Sequence, residues 1–216
     1  MNKYIIGRVA KNDSKILNMK RKIVITIFLL IAFHSLYAQD SLSTYNFNRE
    51  HIKKTGMEVL GSWAVANIAA GTIASSNTNG QAKYFYQVNA LWNIVNLGAA
   101  VSGFISANNN IDKPLSAVET LKQQQKIERI FFVNGGLDLV YIGAGIYLNH
   151  RGNNDNSDKL RGYGSGVILQ GAFLLLFDAT MYSSERSNGT KLRNFLQKNP
   201  VIFDGKKVGL IYNIGS

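Results

Sequence analysis

A chain of 216 residues permits one domain, and the absence of cysteine excludes disulfides, thiolate metal sites and a cysteine nucleophile. A formal charge of +11 raises nucleic acid as a partner, but the basic residues sit at block edges and in the tails with no interleaved aromatics, so a phosphate-binding footprint is missing and no nucleic-acid partner is expected. Apolar content is an ordinary 46%, yet it is bunched into blocks separated by Asn-, Lys- and Ser-rich stretches.

Residues 1–18 read as a dispensable extension. Met19-Lys20-Arg21-Lys22, the uncharged run Ile23 to Phe33 and the small Ala38 before Gln39 follow the order of a secretory signal. The alternative is an uncleaved anchor helix, but the run is shorter than the ~20 residues that a span needs. The polar flank 39–55 is expected on the surface. The first span, about 57–75, is rich in Gly and Ala, and its small residues (Ala66, Ala70, Ala74; Gly71, Ser75) recur every fourth position, which permits close helix approach. Asn77 to Gly80 is a turn cluster, and Lys83-Tyr84-Phe85-Tyr86 reads as an interfacial aromatic belt.

The second span, about 87–107, places Asn89, Asn93 and Asn96 on one helical face, and hydrocarbon offers amides no partner, so that face must meet protein or water. Ser116 to Arg129 reads as a surface helix leading into the third span, about 130–149, where Asn134 and Asp138 stand one turn apart and Gly135, Gly136, Gly143 and Gly145 make a close-packing helix. The fourth span, about 163–183, opens with Gly162, Gly164 and Gly166 and is interrupted by Gln170 and Asp178. The basic tail 185–216 ends in a strand-like run, Lys207 to Ile214. The apolar blocks do not alternate with period two, which argues against an outer-membrane barrel. The expected fold is therefore all-α: a polytopic four-helix up-down transmembrane bundle, residues 56–184, after an N-terminal signal-like segment.

Counted at ~1.5 Å per residue from one membrane face, Asn93 and Gln170 lie near ~10 Å, Asn67 and Asn96 near ~13 Å, Asp138 near ~16 Å, and Asn134 and Asp178 near ~22 Å. These seven residues form the expected intramembrane polar cluster, with contacts Asp138–Asn96 and Asp178–Asn134. Asp178 could instead be hydrated near the interface. Such a cluster serves either as interhelical glue or, through Asp138 with Asn67, Asn93 and Asn96, as an ion or proton site, because an ionisable group at bilayer depth is costly.

Orientation is open. Most basic residues fall on the side of residues 39–56, loop 108–129 and the tail, which the positive-inside rule places in the cytoplasm; a cleaved signal would place that side outside. His51 and His150 are isolated, and Gly162-Tyr163-Gly164-Ser165-Gly166 lacks the strand that a nucleophile elbow needs, so no catalytic residue, cofactor or metal is expected.

The signal-like start, L-W-N-x-x-N (Leu91, Trp92, Asn93, Asn96) and Q-G-x-x-L-L-x-x-D (Gln170, Gly171, Leu174, Leu175, Asp178) together resemble an uncharacterised family of small four-helix membrane proteins from Bacteroidetes-type bacteria. The resemblance covers roughly residues 40–215 and implies no activity. The sequence thus leads us to expect a non-enzymatic, multi-pass protein of the bacterial inner membrane. Its partners would be lipid and, through the Gly/Ala faces, a homo-oligomer or other membrane proteins. It would act as a structural or interaction component of the envelope, or as a small transporter.

Overall fold

The computed structural model describes residues 2–199, 201–203 and 208–210, with side chains described for Leu42 to Asn199 and a few residues before. The chain divides into two compact units, Leu42–Lys198 and Met1–Ser41 with Asn199–Ser216. In the second of these, residues 2–41, including the signal-like segment, are helical. There, β1 (Val201–Phe203) also pairs antiparallel with β2 (Val208–Leu210), Val201 opposite Leu210. The strand-like run thus forms a strand over Val208–Leu210, and its residues 207 and 211–214 lie outside the described residues.

The unit Leu42–Lys198 is built from four long helices: α1 (Asn2–Asn77), of which Leu42–Asn77 belongs here, α2 (Gly80–Asn110), α3 (Ala117–Asn154) and α4 (Asp158–Lys198). All four are long and apolar enough to cross a membrane. Their connections are short. Gly80 opens α2 at φ +58, where glycine carries no Cβ penalty. Ser116 caps α3 in a capping box: its hydroxyl accepts the Glu119 N–H, and the Glu119 carboxylate accepts the Ser116 N–H.

Contacts across the helices give an up-down order. Lys53 meets Ser106 and Gly71 meets Tyr86, so α1 and α2 run antiparallel. Gly145 meets Gly164 and Gln124 meets Glu185, so α3 and α4 do too. Helix α4 is the hub. It packs on α1, α2 and α3, and 44% of its most apolar window is buried against 17–22% for the others.

Polarity in the spans is inverted relative to a water-soluble bundle. Val95 and Leu176 are each 72% exposed, while Asn93 and Gln170 are fully buried. That arrangement suits a hydrocarbon surround, where the interior is the only place for amides to find partners.

Glycine permits the closest crossings. A Cβ on Gly145 would lie 2.8 Å from the Gly164 carbonyl oxygen, and one on Gly164 would lie 2.6 Å from the Gly145 oxygen. Gly162 and Gly166 likewise admit α2 against α4. The other expected close-packing positions of α3 are different: Gly136 and Gly143 have open space around them and Gly135 only grazes Leu175. In α1, Gly71 is buried against α2 while Ala66 and Ala70 face outward. Small size permits an approach at any of these positions; the helix rotation decides which one is used.

The bundle continues past the span limits expected from the sequence with a polar interior, which corrects three expectations. In the flank expected on the surface, Leu42, Asn46, Arg49 and Glu50 are buried. In the expected surface helix, Ala117, Thr120, Gln124 and Glu128 are buried. The expected tail continues α4 to Lys198 and buries Glu185, Asn188, Leu192 and Leu196. Each set recurs at three- or four-residue spacing, so the polar residues themselves form the seam.

Candidate functional site

Three polar layers run through the bundle. The first lies toward the Asn79 end of the spans. Gln170 of α4 donates to Asn89 Oδ1 at 2.5 Å and accepts from the Trp63 indole N–H at 3.2 Å, tying α4 to both α2 and α1. Trp63 also stacks on Phe173 at 3.9 Å between ring centroids. Asn93 donates to the Asn89 carbonyl oxygen and accepts from Asn96, so the asparagine face of α2 is largely satisfied within its own helix. Asn67 is half-buried and donates to the Trp63 carbonyl oxygen of its own helix. Gln170→Leu should leave an indole N–H and the Asn89 amide oxygen without partners. It is expected to cost about 1–2 kcal/mol, read as a lower unfolding midpoint in detergent together with a shifted Trp63 emission.

The second layer is acidic. Asp138 of α3 and Asp178 of α4 are 3% and 5% exposed, and their carboxyls face each other within hydrogen-bonding range. Asn134 also neighbours Asp178. Asp138 Oδ2 is buried with no hydrogen-bond partner among the described residues. An ionised carboxylate only accepts hydrogen bonds, so a bond between the two requires a shared proton.

The structure therefore brings Asn134 beside Asp178. It does not bond Asp138 to Asn96, and Asp178 is buried in the bundle. Depth counting separates the two acids because it compares backbone heights, whereas the carboxyls meet through side chains of neighbouring helices that pack closely from Gly152–Arg161 to Gln124–Glu185.

The acid pair lies on the wall of a cavity of about 750 Å³. Helix α4 packs on both α2 and α3, but those two stay apart along most of their length and meet where the Trp92 and Tyr141 rings stand edge to face at 5.0 Å. The resulting cleft has largely apolar walls, among them Leu60, Val95, Leu137 and Phe177, and converging polar groups that include Asn96, Asn134, Asp138 and Asp178, with Lys53 at one end. Asn67, Asn93 and Gln170 lie outside its lining. Among the described residues, no three His, Asp or Glu side chains gather to hold a metal ion. His51 and His150 are exposed, and Ser165 accepts a hydrogen bond from the Asn149 amide at 2.8 Å in a helix contact.

A family model matches residues 59–179, described as a family of unknown function (DUF6992). The chain belongs to this family. The matched segment holds both acids, the asparagine face and Gln170. No curated protein and no solved structure matches the chain.

The third layer lies beyond the spans and escaped the sequence reading. Gln124 donates to the Glu185 carbonyl oxygen at 2.7 Å and to Glu185 Oε2 at 3.1 Å, and accepts from Asn188 at 2.9 Å. Arg49 donates to Glu50 and to Asn46, which in turn donates to Thr120. Glu128 takes Arg186 and Arg193, each at 3.0 Å, and a Cβ on Gly189 would collide with that carboxylate. Glu185 Oε1 is buried with no hydrogen-bond partner among the described residues. Burial pushes the Glu185 carboxyl up to about 8, against the opposing pull of the Gln124 bond and the Arg49 charge.

Proposed function

We propose that this member of the DUF6992 family is a non-enzymatic multi-pass protein of the bacterial inner membrane that takes an amphiphile from the bilayer into the cleft between α2 and α3. The carrying observation is the cleft itself: a largely apolar cavity of about 750 Å³ on which a few polar groups converge, Asn96, Asp138 and Asp178 buried and Asn134 half-buried. Few convergent polar groups on mostly apolar walls are the usual anatomy of a small-molecule site. The Asp138–Asp178 pair with Asn96 and Asn134 would meet a hydrogen-bonding group of the ligand, and the surrounding Leu, Val and Phe side chains would meet its chains.

Ala99 lines the cleft and is exposed, so Ala99→Phe should fill it without disturbing the bundle. Native mass spectrometry of the full chain in mild detergent is expected to find one retained amphiphile per protein, lost in the Ala99→Phe variant at an unchanged unfolding midpoint. Equal retention by both proteins would refute the reading.

The acid pair supports a second reading, proton-linked transport. In it, Asp138 acts with Asp178 and Asn96; Asn93, satisfied within α2, has no part. Asp138→Asn would then abolish a proton-dependent flux in liposomes while leaving the fold intact.

A further inference from the structure

We propose that the cleft holds an anionic lipid, its acyl chains between α2 and α3 and its phosphate headgroup in a basic vestibule at the Lys53 end. This rests on the reading of the cleft as an amphiphile site and names the chemistry of the amphiphile. A second cavity, of about 440 Å³, adjoins the cleft, and the two share Lys53, Gly103, Ile127 and Ile130 in their walls. The vestibule is lined by four cations, Arg49, Lys53, Lys113 and Lys126, against the single carboxylate of Glu50.

Arg49 and Lys53 are already committed to Glu50, at 3.0 and 2.7 Å. Lys113 and Lys126 are exposed, and among the described residues neither has a carboxylate within ion-pair distance. Two uncommitted ammonium groups therefore face a cavity already rid of its one negative charge. Ser106, which accepts from Lys53, and Asn110 add hydrogen-bonding groups.

The apolar cleft continues from this charged mouth along α2 from Gly103 to Val88, about 22 Å of helix at ~1.5 Å per residue. That reaches past the middle of a hydrocarbon core ~30 Å thick. A positive mouth at one interface and an apolar slot running inward match a phosphate headgroup with acyl chains, as in other basic pockets between membrane helices. A soluble anion would leave the slot empty, and a neutral lipid would leave the lysines unused.

The test uses the purified full chain in mild detergent, with native mass spectrometry after titration with phosphatidylglycerol, phosphatidylcholine of the same chains, or glycerol phosphate. The wild type is expected to retain phosphatidylglycerol at least about tenfold more strongly than phosphatidylcholine. The Lys113→Gln/Lys126→Gln variant should lose that preference and keep its phosphatidylcholine retention, which reports an intact cleft.

Equal retention of the two lipids by the wild type would overturn the headgroup assignment and leave the amphiphile reading standing. A preference that persists in the double variant would overturn the role of the lysines. Competition by glycerol phosphate at equal concentration would make the vestibule a site for soluble anions and overturn the lipid. Retention of neither lipid would remove the amphiphile reading as well.

Discussion

Gly164→Val is expected to cost about 3 kcal/mol or more, or to prevent recovery of folded protein. The new Cβ would stand 2.5 Å from the Asn149 backbone nitrogen and 2.6 Å from the Gly145 oxygen. Both are backbone atoms in a helix, so no rotamer change relieves the clash and α3 must back away from α4 along its length. Overpacking at a rigid contact costs 1–3 kcal/mol, and more where the backbone itself must yield. Gly143→Val is the control. Nothing lies within 4 Å of its Cβ, and the change should stay within about 0.5 kcal/mol. Because Gly145 and Gly164 face each other, Gly145→Val combined with Gly164→Val should cost little more than either alone, since the first separation makes room for the second. Thermal unfolding in detergent with size-exclusion recovery measures all four proteins, and equal stability of the Gly164→Val and Gly143→Val variants would contradict the crossing described here.

The second large effect is a pH dependence set by Glu185. Its folded-state carboxyl is raised to about 8 from an ordinary 4.5, first by burial and then by Glu50 and Glu128, with Gln124 and Arg49 pulling the other way. Below 4.5 the group is protonated in both states and costs nothing. Between 4.5 and 8 the unfolded chain ionises while the folded one holds its proton, so this contribution lowers stability as pH rises; above 8 the loss is complete. At 1.36 kcal/mol per pH unit the window carries on the order of 5 kcal/mol. Glu185→Gln should flatten the stability curve across that window and gain most over the wild type near pH 8. Parallel curves for the two proteins would show that Glu185 titrates alike folded and unfolded.

Much of the membrane part was legible in the sequence because hydrocarbon imposes harsh rules. Four apolar blocks with short polar connections give four helices, and three amides on one face of α2 must point inward, as Asn89, Asn93 and Asn96 do. The pairing of the acids was not legible, because it depends on how α3 is rotated and set against α4, which the close glycine contacts of the folded pair decide. The layer from Asn46 to Asn188 was not legible for another reason. Arg49, Glu50, Glu128 and Glu185 are residue types that normally signal a solvated face, yet here they are buried against polar partners: Arg49 on Glu50, Glu128 on Arg186 and Arg193, and Glu185 on Gln124. The available signal was spacing: Thr120, Gln124 and Glu128 stand every fourth residue and share one side of α3.

The central place of α4 bears on how the protein is made. Gln170, Asp178 and Glu185 each supply one side of a polar layer, and all three sit on the last of these four helices to leave the ribosome. Until it arrives, Asn89, Asp138 and Gln124 wait without their partners. Assembly of the bundle then waits on α4, and a nascent chain stalled before Gly162 would present its unpaired groups to whatever quality control patrols the bilayer.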